Sequence, residues 1–239
     1  MEVLNDLLGY KNIKIYQNPD WFSFSLDSVL LPNFVTLRSK VTNIIDLGTG
    51  NLPIPLILST RTNAHITAIE IQKDVYEMAK KTCEYNHLEE QITIKNMDIK
   101  DLKGVYLPDT FDVVVSNPPY FRYKESSNLN DDLHKTIARH EKMIDLEALI
   151  EIGSYLLKNS GIFGMVHRTE RLLEIIHLFE KYRISPKRIQ LVYPKEGTES
   201  NLVLIEGIKN GRSGVKFLSP LYVHNEDGSY RDEILKMFE

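Results

Sequence analysis

Asn117-Pro118-Pro119-Tyr120 brings together residue types that suit one task. The Asn side-chain carbonyl accepts a hydrogen bond, two prolines stiffen the backbone and leave carbonyls without neighbouring amide donors, and the Tyr ring offers a stacking face. Acceptors converging beside an aromatic plate fit a planar NH2 group such as the exocyclic amine of a base. The alternative is a Pro-rich loop that caps a strand. Three acids belong to the same inquiry. Glu70 closes His65-Ile66-Thr67-Ala68-Ile69, about 20 residues beyond the Gly48-Thr49-Gly50 turn, the spacing at which a carboxylate accepts ribose hydroxyls. Asp98 follows Ile92-Thr93-Ile94-Lys95-Asn96-Met97 and either holds an adenine amino group or caps the next turn. Asp27 either caps a short helix carrying Val29, Leu30, Phe34 and Leu37 or lies in a ligand pocket; Ser25 is the other candidate cap.

These side chains need elements that deliver them to one place. Phe111-Asp112-Val113-Val114-Val115 reads as a strand buried on both faces, ending at the tetrapeptide. Thr42 to Asn51 reads as an apolar strand running into the glycine turn, and Pro53 and Pro55 fit the first turn of the helix after it, where missing amides do no harm. An amphipathic helix spans 72 to about 87. Strands alternating with helices predict an α/β fold, a parallel sheet with helices on both faces, and every singled-out residue falls at a strand's carboxyl end. Further on, Leu146 to Leu157 reads as a helix with Asp145 as cap and Gly161 past its end, Ile162 to Val166 as a strand, and Glu170 to Tyr182 as a helix. Arg188 to Tyr193 and Leu202 to Glu206 are too close for a helical crossover and should pair antiparallel. Residues 1–239 read as one domain, with an extension at 1–40 lining the ligand pocket and a hairpin-like, partly helical tail at 209–239.

The formal net charge of −4 over 239 residues excludes a general affinity for polyanions, so a nucleic-acid site must be a local basic patch. Candidates are Arg122, Lys124, Arg139 and His140 in a long loop, and Lys181, Arg183, Lys187, Arg188 and Lys195; each group reads equally as a solvated face. A single Cys83 rules out an intrachain disulfide and suits a reducing cytoplasm. The chain shows no secretory start, no apolar run of membrane-spanning length, no metal-ligand spacing, no P-loop and no nucleophile elbow.

Asp46-Leu47-Gly48-Thr49-Gly50-Asn51, Glu70, Asp98 and Asn117-Pro118-Pro119-Tyr120, in that order, resemble the motifs of class I S-adenosylmethionine-dependent methyltransferases with an amino-group target. Phe22 to Leu31, Ala138-Arg139-His140-Glu141 and Pro186-Lys187-Arg188 through Tyr193-Pro194 extend the likeness over most of the chain, to the bacterial tRNA1(Val) adenine-37 N6-methyltransferase family. The resemblance implies a Rossmann-like, mostly parallel seven-stranded sheet with an antiparallel last strand, S-adenosylmethionine as cofactor, tRNA as partner, no metal and a cytoplasmic location; the sequence leaves the oligomeric state open, with a monomer favoured. It implies a cofactor site of Ser25, Asp27, Asp46, Gly48, Gly50, Glu70, Ile71, Asp98, Ile99 and Asn117, with Ser25 and Asp27 at the methionine end, Glu70 on the ribose and Asp98 on the adenine amine. At the reacting end it implies that Asn117 and the Pro118 carbonyl, held by Pro119, accept from the target N6 amine while Tyr120 stacks on a flipped-out base. Arg122, Lys124, Arg139, His140, Lys187 and Arg188 are the implied RNA contacts. Leu52-Pro53 departs from the family's usual Gly-Asn-Gly form. Release-factor glutamine N5-methyltransferases and ribosomal RNA guanine N2-methyltransferases share the tetrapeptide, but usually with a larger helical domain in front or a duplicated domain. An inactive cofactor- or RNA-binding module of the same fold is the non-enzymatic alternative.

Overall fold

The structure is a computed structural model that describes residues 2–7, 10, 12–19, 26–119 and 145–238. Its first parallel strands are β3 (Asn43–Leu47), β4 (His65–Glu70), β5 (Ile92–Asn96) and β6 (Phe111–Ser116), preceded by an amino-terminal hairpin, β1 (Val3–Asp6) and β2 (Lys14–Gln17). Helices α1 (Asp27–Phe34), α2 (Pro53–Arg61) and α3 (Lys73–Tyr85) intervene. After the segment 120–144 come α4 (Leu146–Leu156), β7 (Leu157–Arg168), α5 (Leu172–Lys181), β8 (Ile184–Lys195) and β9 (Leu202–Lys209). Short strands β10 (Lys216–Phe217) and β11 (Leu221–His224) and helix α6 (Asp232–Leu235) close the chain.

The sheet runs β8-β9-β7-β6-β3-β4-β5, the expected seven strands, with β9 antiparallel to both its neighbours. Two strands beyond the expected seven, β10 and β11, add in parallel to the free edge of β8. Leu221-Tyr222-Val223 of β11 alternates buried and half-buried and reads as a strand in sequence, whereas the two-residue β10 is too short for a pattern; β8 is long enough to template both. Alternation on the central strands builds two cores. Ile44, Ile66, Ala68, Val113, Val115 and Ile162 face α1, α2 and α3, whereas Ile45, Ile69, Val114, Phe163 and Met165 face α4 and α5. The resulting three layers follow from strands that are apolar on both faces.

Two local expectations are corrected. β7 begins at Leu157 and not at Ile162: α4 passes directly into it, so Gly161, past the helix end, lies inside the strand, where a Cβ would come within 2.6 Å of Leu157 Cδ1 and 2.9 Å of the Asp112 carbonyl. The glycine is there for close strand approach. Asp27 is not the N-cap of α1, which is Leu26; Asp27 lies in the first turn and its Oδ1 accepts the Ser28 amide at 3.1 Å.

Candidate functional site

Strand order reverses at β3, which pairs with β4 on one side and β6 on the other. That switch point opens a crevice at the strands' carboxyl ends, where open α/β sheets take their ligands. The glycine turn leaves β3 and the Asn117 segment leaves β6, so both line it.

The turn is held by the neighbouring strand. Gly48 N and Thr49 N both donate to the Ile69 carbonyl, at 3.0 and 2.8 Å. Gly48 (φ 82°) and Gly50 (φ 60°) occupy left-handed backbone, and so does Leu52 (φ 86°), which precedes Pro53 at the start of α2. A leucine there is strained by about 1–2 kcal/mol. Its side chain is fully buried in the core, which holds the conformation in place.

Glu70, at the end of β4, binds the turn directly: Oε2 accepts the Gly50 amide at 3.0 Å and Oε1 the Gln72 amide at 2.8 Å. Burial raises its pKa above the usual carboxylate value, against the pull of those amides. Each oxygen keeps a second lone pair for a ligand hydroxyl. Asp46 is more extreme. Its carboxyl has no solvent exposure, and neither oxygen has a hydrogen-bond partner; the Thr49 hydroxyl is near enough to lower its pKa but makes no hydrogen bond of proper geometry. Burial, with Glu70 adding to it, pushes the Asp46 pKa up to about 7. A buried acid without partners is an acceptor waiting for a donor from a ligand.

On the other flank, Asn96 Nδ2 donates to the carbonyls of Glu70 (2.9 Å) and Ile71 (3.0 Å), fixing the loop after β4. Ile71 is exposed at the crevice rim, while Ile99 is buried. Asp98 realises the turn-capping alternative, Oδ1 accepting the Lys100 amide at 2.9 Å, and Oδ2 accepts no bond among the described residues. It therefore caps and still offers an acceptor.

Across the crevice, Ser116 Oγ donates to the Leu47 carbonyl at 2.7 Å and ties the end of β6 to β3. Asn117 follows, half-buried, with Nδ2 donating to Ser28 Oγ on α1 at 3.1 Å; Pro118 is buried and Pro119 exposed. With its amide nitrogen on α1, the Asn117 side chain has its carbonyl oxygen as the acceptor end. His167, buried at the end of β7, has its pKa pushed down to about 4 by burial and the nearby Arg171 and Arg168 charges. An imidazole of that pKa is neutral near pH 7 and a weak proton acceptor.

Sequence reasoning missed Ser28, Asn96 and the turn residue Asn51, whose Nδ2 donates to the Tyr16 carbonyl of β2 at 2.9 Å. Only Asn51 carried a signal, its place in the turn. Ser25, Tyr120, Arg122, Lys124, Arg139 and His140 lie outside the described residues. The remaining basic cluster is spread along β8, with part of it engaged within the protein. Lys181 and Arg183 sit where β8 begins and Lys195 where it ends, separated by a strand of about 35 Å at 3.3 Å per residue. Lys181 is paired with Glu147, and Lys187 Nζ donates to the Arg212 and Gly214 carbonyls. The Arg188 guanidinium donates to Glu206 Oε1 (3.0 Å), Thr36 Oγ1 (2.8 Å) and the Phe34 carbonyl (3.1 Å) and lies over the Phe34 ring. Its geometry is that of a bolt between α1 and the sheet, because Glu206 is buried and needs a cation. Among the described residues no group of three or more His, Cys, Asp or Glu is placed to hold a metal ion, and no helix is long and apolar enough to cross a membrane.

The family model described as methyltransferase small domain matches residues 13–171. The tRNA1(Val) (adenine(37)-N6)-methyltransferase of Phocaeicola vulgatus is 28% identical over 201 residues, covering 84% of this chain and 83% of that protein. The Porphyromonas gingivalis protein of the same name is 28% identical over 242 residues, covering 98% and 94%. Among solved structures, a protein from Agrobacterium tumefaciens described as a predicted O-methyltransferase aligns at a TM-score of 0.71 with 20% identity, over 89% of this chain and 95% of its own. A geranyl diphosphate methyltransferase in complex with SAM aligns at 0.56 with 9% identity, over 76% and 84%.

Proposed function

We propose, from the premise that this chain belongs to the methyltransferase small domain family, that it transfers a methyl group from S-adenosylmethionine to the exocyclic N6 amine of an adenine in tRNA, at position 37 of tRNA1(Val) as in the relatives named above. The observation that carries the reading is Asn117, held by Ser28 just after β6, at the same end of the sheet as the glycine turn after β3 and Glu70 on β4. The cofactor fits the residues present. Asp46 is a buried acceptor without a donor and suits an ammonium, Glu70 keeps lone pairs for ribose hydroxyls, and Asp98 Oδ2 is open for an adenine amine. Gly48 and Gly50 let the backbone come close, exposed Ile71 covers the base, and Ile99 supports it from the core. Ser25 and Asp27 belong with the methionine end.

When bound, S-adenosylmethionine supplies a methyl group on a sulfonium that is a good leaving group. The protein's part is to orient and polarise. An adenine amine is a poor nucleophile because its lone pair is delocalised into the ring. Asn117 Oδ1 and the Pro118 carbonyl, taking one amine hydrogen each, favour a lone pair aimed out of the ring plane and stabilise the charge that develops on nitrogen. Tyr120 holds the flipped base by stacking. No side chain is needed to remove the proton in the slow step, which agrees with the low basicity of His167.

Incubation with methyl-labelled cofactor and separate pools of tRNA, ribosomal RNA and release factor tests the assignment. Label should appear in tRNA as N6-methyladenosine at one position. Label in the release factor alone would overturn it.

A further inference from the structure

Five buried side-chain nitrogen or oxygen atoms among the described residues have no hydrogen-bond partner: both oxygens of Asp46, Thr49 Oγ1, Gln17 Nε2 and Arg231 Nε. Two of these residues meet at one place, Asp46 near the end of β3 and Thr49 in the glycine turn that follows it. Gln17 comes from the end of β2, far away in sequence but fastened to the same turn. The Tyr16 carbonyl accepts Asn51 Nδ2 at 2.9 Å, and Tyr16 N donates to Thr82 Oγ1 of α3 at 3.1 Å, so β2 is pinned between the turn and α3.

Gln17 is 8% exposed, and its amide is fixed from one end only, Oε1 accepting Asn5 Nδ2 at 2.8 Å. The NH2 end is a buried donor with nothing to donate to. Native proteins rarely leave such a group unmatched unless a ligand or ordered water completes it. The end of β3 therefore carries an unmatched acid, and β2, fastened to the turn that leaves β3, an unmatched amide donor. A ligand that satisfies both presents a cation and an anion on one short fragment, which describes an α-amino acid.

We propose that Gln17 Nε2 donates a hydrogen bond to the carboxylate at the amino-acid end of the cofactor, with Asp46 receiving the ammonium, so that the amino-terminal hairpin is a working part of the cofactor site. The inference rests on the methyltransferase reading. It goes beyond that reading in assigning a residue outside the motif set and in making binding of the amino-acid end depend on β2.

The test is calorimetric titration of the full chain with S-adenosylhomocysteine, which carries the amino-acid end, and with methylthioadenosine, which lacks it. Gln17→Glu keeps the size of the side chain and the acceptor for Asn5 while removing the NH2; Gln17→Leu removes both. Each variant should bind S-adenosylhomocysteine roughly 10- to 100-fold more weakly, the range for a hydrogen bond to a charged group, and Gln17→Glu the more so through repulsion. Methylthioadenosine affinity should stay within about twofold of the unmodified chain, which also shows that the pocket has folded. Unchanged S-adenosylhomocysteine affinity in both variants would overturn the proposal, as would equal loss for the two ligands. If the unmodified chain binds neither ligand, the methyltransferase reading itself has failed.

Discussion

Asp46→Asn tests the energetic state of the crevice. The Asp46 pKa stands at about 7 in the folded chain against an ordinary value of 3.8, chiefly through burial. A carboxyl whose folded pKa is raised favours the fold in its protonated form. That contribution is fully present below about pH 4 and is lost as pH rises through about 7. At 1.36 kcal/mol per pH unit the interval corresponds to about 4 kcal/mol, an upper figure, because relaxation and water entry soften the penalty of a buried charge. Asn keeps the shape and cannot ionise. At pH 4 the unfolded carboxyl is only about half ionised, and an amide and a protonated carboxyl each leave polar atoms unmatched in the fold, so the two proteins should agree within about 1 kcal/mol. By pH 8 the variant should be the more stable by about 2–4 kcal/mol, or roughly 4–16 °C in Tm for a chain of this size. Urea unfolding without cofactor, from pH 4 to 8.5, reads the divergence directly. A stability difference that stays flat across that range would refute the account of Asp46. In the same spirit, cofactor binding at pH 6.5 should release a proton from the unmodified chain and none from the variant, seen as buffer-dependent binding heats.

Asn117→Ala should abolish methyl transfer while leaving cofactor affinity within a few-fold; unchanged turnover in the purified variant would remove Asn117 from the mechanism. Leu52→Gly sets two effects against each other, relief of about 1–2 kcal/mol of left-handed strain against loss of a buried leucine, about 3–5 kcal/mol. Packing should win, leaving the variant about 1–4 kcal/mol less stable by chemical denaturation, and a variant as stable as its parent would show that strain relief offsets the packing loss. Arg188→Ala should destabilise by about 2–4 kcal/mol by leaving the buried Glu206 carboxylate without its cation. Its tRNA affinity should stay within about twofold at constant salt, whereas a marked drop in the folded variant would restore Arg188 to the RNA-binding surface.

What the sequence determined by itself is local and periodic. The Val-rich run before Asn117, the apolar stretch before Gly48 and the alternation ending at Glu70 each state their element in the order of neighbouring side chains, because a strand buried on both faces needs apolar residues on both. The βα rhythm then fixes a parallel sheet, and with it the placement of the glycine turn, Glu70, Asp98 and Asn117 at one end. The antiparallel pairing of β8 and β9 was legible for a similar reason, since the link between them is too short for a crossover.

Only the tertiary structure decided which distant residues meet. Nothing local relates Ser28 to Asn117 across 89 positions, or Tyr16 to Asn51 across 35; those contacts exist because strand order brings α1 and β2 to the switch point. The same holds for Arg188, written in the sequence as one of several surface cations and turned inward because the register of β8 on β9 sets it opposite the buried Glu206. Leu52 breaks the glycine pattern in sequence, and only the surrounding core explains how a leucine is held at φ 86°. Residue types announce which chemistry is possible at Asn117-Pro118-Pro119. Burial and strand order, which are properties of the whole chain, decide which acceptors and donors are left open for a ligand.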